Sequence, residues 1–178
     1  MGSWEAQKRA IWEATQEMVR GGLVSGSSGN ASLRLAGEGR DLLAITPTQR
    51  LYSVLAPEDI VVIDFEGEPV EGELPPSSET ALHVAIYRAR RDVNAVVHSH
   101  PVFASALAVA GLELPPVIDE MVIAVGGPVK VAEYAFPGTE ELGERARQAL
   151  GERNAVLLRN HGLVGVGGSL EQALQVSQ

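Results

Sequence analysis

The histidines of this 178-residue chain stand where their side chains could bind one metal ion together. His98 and His100 alternate at the end of an apolar run that begins at Asn94, so a strand would place both imidazoles on one face. His161 follows a second apolar run, and Gly162 after it permits a sharp turn that leaves the ring facing a cleft. Three imidazoles with an open fourth position are a typical ligand set of catalytic zinc. The spacing therefore indicates a divalent metal site, and zinc suits these ligands.

Each of these residues also has an ordinary structural explanation. An isolated His-x-His pair is more often a surface pair or a hydrogen-bonded core pair, and only the addition of His161 favours a metal site. Glu79 follows two serines at the predicted start of a helix, where the helix dipole alone explains an acidic residue. His83 lies four residues later on the same helical face, and we interpret it as a packing residue or as a partner of a ligand. We exclude it from the ligand set.

Three short polar segments are candidates for binding an anion. They are Gly-Ser-Ser-Gly-Asn at 26–30, Thr-Pro-Thr at 46–48 and the pair Ser77-Ser78, all rich in hydroxyls or in exposed backbone N–H groups. Each segment alone is typical of an ordinary turn, and the sequence does not show that the three meet.

The elements that must position these residues follow from hydrophobic periodicity and from turn residues. In the first half of the chain, the pattern predicts a helix from Ser3 to Arg20 with Met18 and Val19 in the core. Strands are predicted at 31–35, 42–46 and 60–65. A serine-capped helix then runs to about Arg90 and carries Glu79 in its first turn. The second half predicts strands at 94–98, 129–131, 155–158 and 163–166, and helices at 102–109, 138–150 and 169–178.

Length and composition narrow the class of protein. The chain fits one domain, residues 1–178, with no internal repeat, and its last helix stops early, so we expect that a C-terminal tail is missing. The absence of cysteine suits a reducing compartment, and the chain lacks both a signal peptide and a long apolar run, so we predict a cytoplasmic protein without membrane contact. A net charge of -9 argues against nucleic acid as a partner. Lys8 and Lys130 lie in no recognisable Schiff-base context, which argues against lysine-dependent aldol chemistry.

Five segments together resemble the class II aldolase/adducin family, closest to its L-fuculose-1-phosphate aldolase branch. They occur in the family's order and spacing across nearly the whole chain. The segments are Gly-Leu-Val-Ser-Gly-Ser-Ser-Gly-Asn ending at Asn30, Ile-Thr-Pro-Thr ending at Thr48, Leu-Pro-Pro-Ser-Ser-Glu ending at Glu79, Ala-Val-Val-His-Ser-His ending at His100, and Arg-Asn-His-Gly ending at Gly162.

The resemblance implies an α/β fold, a three-layer α/β/α domain around a mostly antiparallel sheet, assembled as a homotetramer with active sites at subunit boundaries. It also implies one zinc ion on His98, His100 and His161, with Glu79 as a fourth ligand that the substrate displaces and that then acts as a base. The phosphate contacts that it implies are Gly29, Asn30, Thr48, Ser77 and Ser78.

The implied activity is retro-aldol cleavage of a ketose 1-phosphate, such as L-fuculose 1-phosphate, to dihydroxyacetone phosphate and an aldehyde. Two other activities occur on the same scaffold, a sugar-phosphate 4-epimerase of the L-ribulose-5-phosphate type and a methylthioribulose-1-phosphate dehydratase-like lyase. A non-catalytic binding module like the adducin head is a further alternative, and the four retained ligand positions argue against it.

The chain also departs from the family pattern. Gln49 stands where the aldolases have a glycine after Thr-Pro-Thr, and Phe136-Pro137 displaces an aromatic residue that precedes Gly-Thr. Glu120 stands where the aldolases offer a tyrosine across the subunit boundary as a proton donor. It resembles the acid/base glutamate of the dehydratases, which lack a ligand like Glu79. We therefore predict Glu120 as a second catalytic residue.

Overall fold

An eight-stranded sheet with helices on both faces organises the chain. The computed structural model describes residues 4–36 and 39–178. In the order β4-β3-β2-β1-β5-β8-β7-β6, neighbouring strands are antiparallel except for the parallel pair β6 and β7. The strands are β1 (Asn30–Leu35), β2 (Leu42–Ile45), β3 (Val61–Asp64), β4 (Pro69–Glu71), β5 (Ala95–Ser99), β6 (Lys130–Ala132), β7 (Ala155–Leu158) and β8 (Gly162–Gly167).

Six α-helices of the described ranges cover the sheet. They are α1 (Glu5–Arg20), α2 (Thr80–Ala89), α3 (Val102–Ala110), α4 (Asp119–Val125), α5 (Glu140–Leu150) and α6 (Leu170–Ser177), with a short 3-10 turn at Pro57–Asp59. None of them is both long enough and apolar enough to cross a membrane. The mixed α/β fold with a mostly antiparallel central sheet is confirmed.

The side-chain alternation of β5 separates two cores. Val96 belongs to the core under α2 and α5, whereas Ala95 and Val97 belong to the core under α1 and α6. Because side chains two residues apart share a face, His98 lies on the same face as Val96. The central strand therefore presents this histidine to the start of α2.

Most predicted elements are confirmed within one or two residues, with four differences. Ser3 lies outside the described residues, and α1 begins at Glu5. Val19 is 43% exposed, so its prediction as a core residue was wrong, because the adjacent Met18 takes the buried direction. Glu79 immediately precedes α2 and is not in its first turn, and its own side chain makes no capping hydrogen bond, whereas the predicted serine contact is present as Ser77 Oγ accepting from the Glu79 N–H at 3.2 Å. The sequence did not predict α4.

Close contact between α2 and α5 holds the start of α2 in place. Gly143 in α5 packs against α2, and a methyl group added there would lie 2.9 Å from the carbonyl oxygen of Ala81 and 3.0 Å from the Cβ atom of Ala85. A contact this short to backbone cannot be relieved by a side-chain rotation. The glycine therefore sets how closely the two helices approach.

We expect Gly143→Ala to destabilise the protein, although alanine is the better helix former by about 1 kcal/mol. Overpacking against backbone typically costs about 1–3 kcal/mol, and this penalty should exceed the gain in helix propensity. Urea unfolding of both proteins measures the difference, with Glu144→Ala on the exposed face of the same helix as the control. A Gly143→Ala protein that is more stable than the wild type would show that the helices can separate freely.

Candidate metal centre

The pairing of β5 with β8 brings the three histidines together. In this register Ser99 lies opposite Leu163, so the end of β5 adjoins the turn between β7 and β8 that carries His161. Gly162 makes the approach possible, since a Cβ atom there would lie 2.5 Å from the Ser99 carbonyl oxygen and 2.6 Å from the His100 ring. The backbone therefore forces His100 and His161 against one another.

The three imidazoles form a compact group, here called the histidine cluster (His98, His100 and His161). Their ring centroids lie 4.7–5.1 Å apart, and one ligand atom from each lies within 4.8 Å of the others. The Nε2 atoms of His98 and His100 are 2.9 Å apart. Tetrahedral zinc with bonds of about 2.0–2.1 Å requires nitrogen atoms roughly 3.3 Å apart. The cluster therefore fits a zinc-sized ion with small side-chain adjustments.

Glu79 joins this group from the residue that precedes α2. Its carboxylate is buried, with Oε2 3.1 Å from His98 Nε2 and Oε1 3.5 Å from His161 Nε2. Among the described residues, Oε1 has no hydrogen-bond partner. A buried carboxylate oxygen without a donor is costly unless a cation or another ligand satisfies it. The structure thus brings together all four predicted metal ligands.

The protonation of His98 shows how a cation would stabilise this group. Its Nδ1 lies 3.0 Å from the Leu163 carbonyl oxygen, which only accepts, so Nδ1 carries the proton and donates. Burial lowers the pKa of His98 well below its ordinary value, so the ring is neutral and Nε2 presents a lone pair. That lone pair faces the Glu79 carboxylate at 3.1 Å. Two electron-rich atoms repel at this distance, whereas a divalent ion would bind both.

Glu79 is held by a buried chain of side chains behind the cluster. Asn30 Nδ2 donates to Glu79 Oε2 at 2.9 Å, and Asn30 Oδ1 lies 2.5 Å from His83 Nε2. The ring of His83 is fully buried, and burial lowers its pKa to about 3, so it is neutral. His83 thus contacts the partner of a predicted ligand. Our exclusion of His83 from the ligand set agrees with this position.

The three polar segments meet beside the histidine cluster. They line one cavity of about 220 Å³ together with Glu79 and His161, which the sequence could not show. Within the described ranges, no hydrogen bond uses the backbone N–H groups of Gly29, Gln49 or Ser78, and such groups attract anions. We call the three segments around this cavity the cradle. The phosphate contacts predicted within it are Gly29, Asn30, Thr48, Ser77 and Ser78.

Two strained backbone positions adjoin the cavity. Gln49 and Asn160 have φ angles of 55° and 58°, and in the described part of the chain no other residue except glycine has a positive φ. Gln49 lines the cradle, and Asn160 directly precedes His161. Residues other than glycine adopt this backbone conformation at a cost in free energy, and such residues concentrate at functional sites. Sequence reasoning noticed Gln49 only as a departure from the family pattern and did not identify Asn160.

Glu120 lies outside the histidine cluster and the cradle. It is exposed in the first turn of α4 and lines a larger cavity of about 570 Å³ between α3, α4 and α6. The residues around that cavity are mainly apolar and include no histidine. Within one chain, the structure does not bring Glu120 to the metal ligands.

Comparisons with known proteins agree with this geometry. Residues 9–178 match the family described as Class II Aldolase and Adducin N-terminal domain. A 5-deoxy-D-ribulose 1-phosphate aldolase of Bacillus thuringiensis is 40% identical over 175 residues, which cover 98% of this chain and 80% of that protein. An L-fuculose phosphate aldolase of Escherichia coli is 41% identical over 166 residues, covering 93% and 75%. A solved L-fuculose 1-phosphate aldolase structure superposes with a TM-score of 0.90 at 36% identity, covering 99% of this chain and 81% of that one.

We expect purified protein to carry about one divalent ion per chain, and the double variant His98→Ala/His100→Ala to lose it, because two of four ligands are removed. Elemental analysis after gel filtration measures the metal content. Ser99→Ala is the control, since Ser99 lies in the same strand between the two histidines and contributes no metal ligand to the cluster. Equal metal content in the wild type and the double variant would contradict the assignment and favour a non-catalytic binding module.

Proposed function

Because the chain belongs to the class II aldolase and adducin family, we propose that it is a zinc-dependent aldolase that cleaves a ketose 1-phosphate into dihydroxyacetone phosphate and an aldehyde. One observation carries the proposal. The candidate anion cradle and the candidate metal ligands Glu79 and His161 line the same small cavity. A phosphorylated substrate with a neighbouring carbonyl group requires this pairing of sites.

His98, His100, His161 and Glu79 would hold the metal, and we propose zinc because imidazole-rich sets with one carboxylate suit it. When bound, such an ion acts as a Lewis acid that polarises the ketose carbonyl and stabilises the negative charge that develops as the bond between C3 and C4 breaks. Burial lowers the pKa of His98 and of His100, which favours the neutral rings that can bind a metal.

The cradle orients the substrate. Its free backbone N–H groups and the hydroxyls of Thr48, Ser77 and Ser78 can bind the phosphate on C1, with Gly29 and Asn30 closing the other side. A phosphate fixed at one end limits where C2, C3 and C4 can lie. Such positioning supplies a large part of the barrier reduction in many enzymes.

Two proton transfers complete the cleavage. The C4 hydroxyl loses its proton as the bond between C3 and C4 breaks and an aldehyde forms, and C3 then gains a proton to give dihydroxyacetone phosphate. Glu79 suits the second transfer, since its Oε1 atom has no hydrogen-bond partner in the described chain. We assign the first transfer to Glu120 of a neighbouring copy, because Glu120 lies away from the cluster of its own chain.

The substrate class follows from the relatives. The two relatives described above are named for 5-deoxy-D-ribulose 1-phosphate and L-fuculose phosphate. Both sugars carry a terminal methyl group, so both would release a short aldehyde that ends in a methyl group. A 4-epimerase would share the cleavage step and then rejoin the fragments, which is why the metal ligands alone do not separate the two activities.

We expect the zinc-loaded protein to release dihydroxyacetone phosphate from L-fuculose 1-phosphate or 5-deoxy-D-ribulose 1-phosphate. A coupled assay with glycerol-3-phosphate dehydrogenase measures the release. Glu79→Gln keeps the size of the side chain and removes its basicity, and it should lower kcat by about 10²–10⁴-fold. If the wild type epimerises or dehydrates such a sugar phosphate without releasing dihydroxyacetone phosphate, the aldolase assignment is wrong.

The face that carries Glu120 suits a second copy of the chain. Helix α3 consists almost entirely of apolar residues, yet only its Ala108 is buried, and Phe103 is 88% exposed. In α4, Ile123 is 84% exposed. Exposed apolar groups of this extent mark interaction surfaces. We propose that symmetric association covers this face, gives a homotetramer and carries Glu120 to the metal centre of a neighbour.

We expect Glu79→Gln and Glu120→Gln proteins, each nearly inactive, to regain activity when they are dissociated and reassembled together. Random pairing would give about a quarter of the sites both wild-type residues, if each site takes one residue from each of two copies. Light scattering of the wild type tests the tetramer directly. A monomer at micromolar concentration, or mixed variants that stay inactive, would contradict shared sites.

A further inference from the structure

Behind the candidate metal centre, four polar side chains form a continuous buried chain that ends on Glu79. From Glu79 it runs through Asn30 and His83 to Ser32 and Tyr87. The four side chains come from β1 and α2, and all of their residues are at least 95% buried. Of the four, only Asn30 also lines the cavity of the cradle. His83 therefore can influence a substrate only through other residues.

The chemistry of the partners fixes the direction of every hydrogen bond. A carboxylate only accepts, so the amide nitrogen of Asn30 faces Glu79 and its oxygen faces His83. The oxygen in turn requires that His83 Nε2 carries the ring proton. His83 Nδ1 is then a bare acceptor, and the Ser32 hydroxyl donates to it at 2.6 Å. The Tyr87 hydroxyl, 2.8 Å from Ser32 Oγ, completes the series as a donor, with the Asn94 carbonyl oxygen as a second and more distant acceptor at 3.4 Å.

We propose that His83 is a positioning residue that fixes the orientation of the Asn30 amide, so that an N–H group always points at Glu79 and holds this carboxylate in its metal-binding orientation. This inference rests on the proposed function for Glu79 as a metal ligand and for its role in cleavage. Were the His83 ring protonated at Nδ1 instead, its bare Nε2 would face the Asn30 oxygen, and the amide would be driven to rotate. Rotation would turn the amide oxygen toward the carboxylate and repel it.

The two carboxylate oxygens of Glu79 have different surroundings. Oε2 is held by Asn30 and lies nearest His98, whereas Oε1 has no donor among the described residues. One oxygen is thus fixed while the other is left available.

The same five residues could instead form only a well-satisfied polar core, in which case their loss would lower stability and nothing else. The two explanations differ in whether metal affinity changes.

The test compares four variants with the wild type, with Co²⁺ as a spectroscopic probe added to metal-free protein. His83→Phe keeps the shape of the ring without its nitrogens, and His83→Gln restores one N–H donor. Asn30→Ala removes the donor to Glu79 directly. Tyr87→Phe is the matched control, because it removes a hydroxyl from the far end of the same buried chain. Unfolding by urea measures the stability of each protein.

We expect His83→Phe and Asn30→Ala to bind Co²⁺ about 10–100-fold more weakly than the wild type, the usual effect of losing a residue that orients a metal ligand. His83→Gln should stay near the wild-type affinity, and Tyr87→Phe should lose stability without losing affinity. In the cleavage assay, kcat of His83→Phe should fall by at least about tenfold because Glu79 is no longer held in place. KM should change less, because His83 reaches the cradle only through Asn30.

Wild-type Co²⁺ affinity in His83→Phe or in Asn30→Ala would overturn the inference. If His83→Phe does not fold, the affinity of Asn30→Ala decides. A wild type that binds Co²⁺ but cleaves no ketose 1-phosphate would refute the proposed function and leave the affinities to decide this inference. A wild type that binds no Co²⁺ would overturn both.

Discussion

The candidate site depends on one electrostatic constraint, the convergence of electron-rich atoms, most of them buried, at the edge of a small cavity. Neutral imidazole nitrogens and a carboxylate oxygen face each other within about 3 Å behind a buried strand. Without a positive charge between them, such an arrangement is unfavourable in a medium of low polarity. The packing around β5 and α2 keeps these atoms in place, and a cation between them would relieve their repulsion.

The backbone is shaped to permit this convergence. Gly162 lets the His100 ring lie against the β7–β8 turn, and Gly29 approaches the His98 carbonyl oxygen so closely that a Cβ atom would lie 2.6 Å from it. Gln49 and Asn160 adopt the left-handed conformation without the freedom of glycine. Two strained residues and two close glycine contacts thus lie around one cavity, and the two large cores on either side of the sheet hold them in place. Stability and chemistry are thus located in different parts of the molecule.

Many of the strands and helices, and the residues of the histidine cluster, were predictable from the sequence. The predictions that failed did so for physical reasons. Apolar runs and turn residues predicted the strands that carry His98 and His161, because their alternation and boundaries are local properties. The meeting of the three cradle segments could not be predicted from composition or spacing, since it depends on pairing between distant strands. Helix α4 was missed because its sequence is rich in β-branched and apolar residues that stay exposed. The hydrogen bond from Asn30 to Glu79 joins residues 49 positions apart, and no local pattern predicts it.

The pairing of β1 with β5 would limit the sugars that fit the cavity if it binds a sugar phosphate as proposed. Asn30 lies directly opposite His98 in the register of the two strands. The spacing between Asn30 and His98 is therefore set by main-chain hydrogen bonds, and exchange of side chains in these two strands cannot lengthen it. A sugar whose phosphate stood one carbon further from its carbonyl would need an inserted residue or a shifted strand. New substrate preferences on this scaffold should therefore arise at the end of the sugar that lies away from the phosphate.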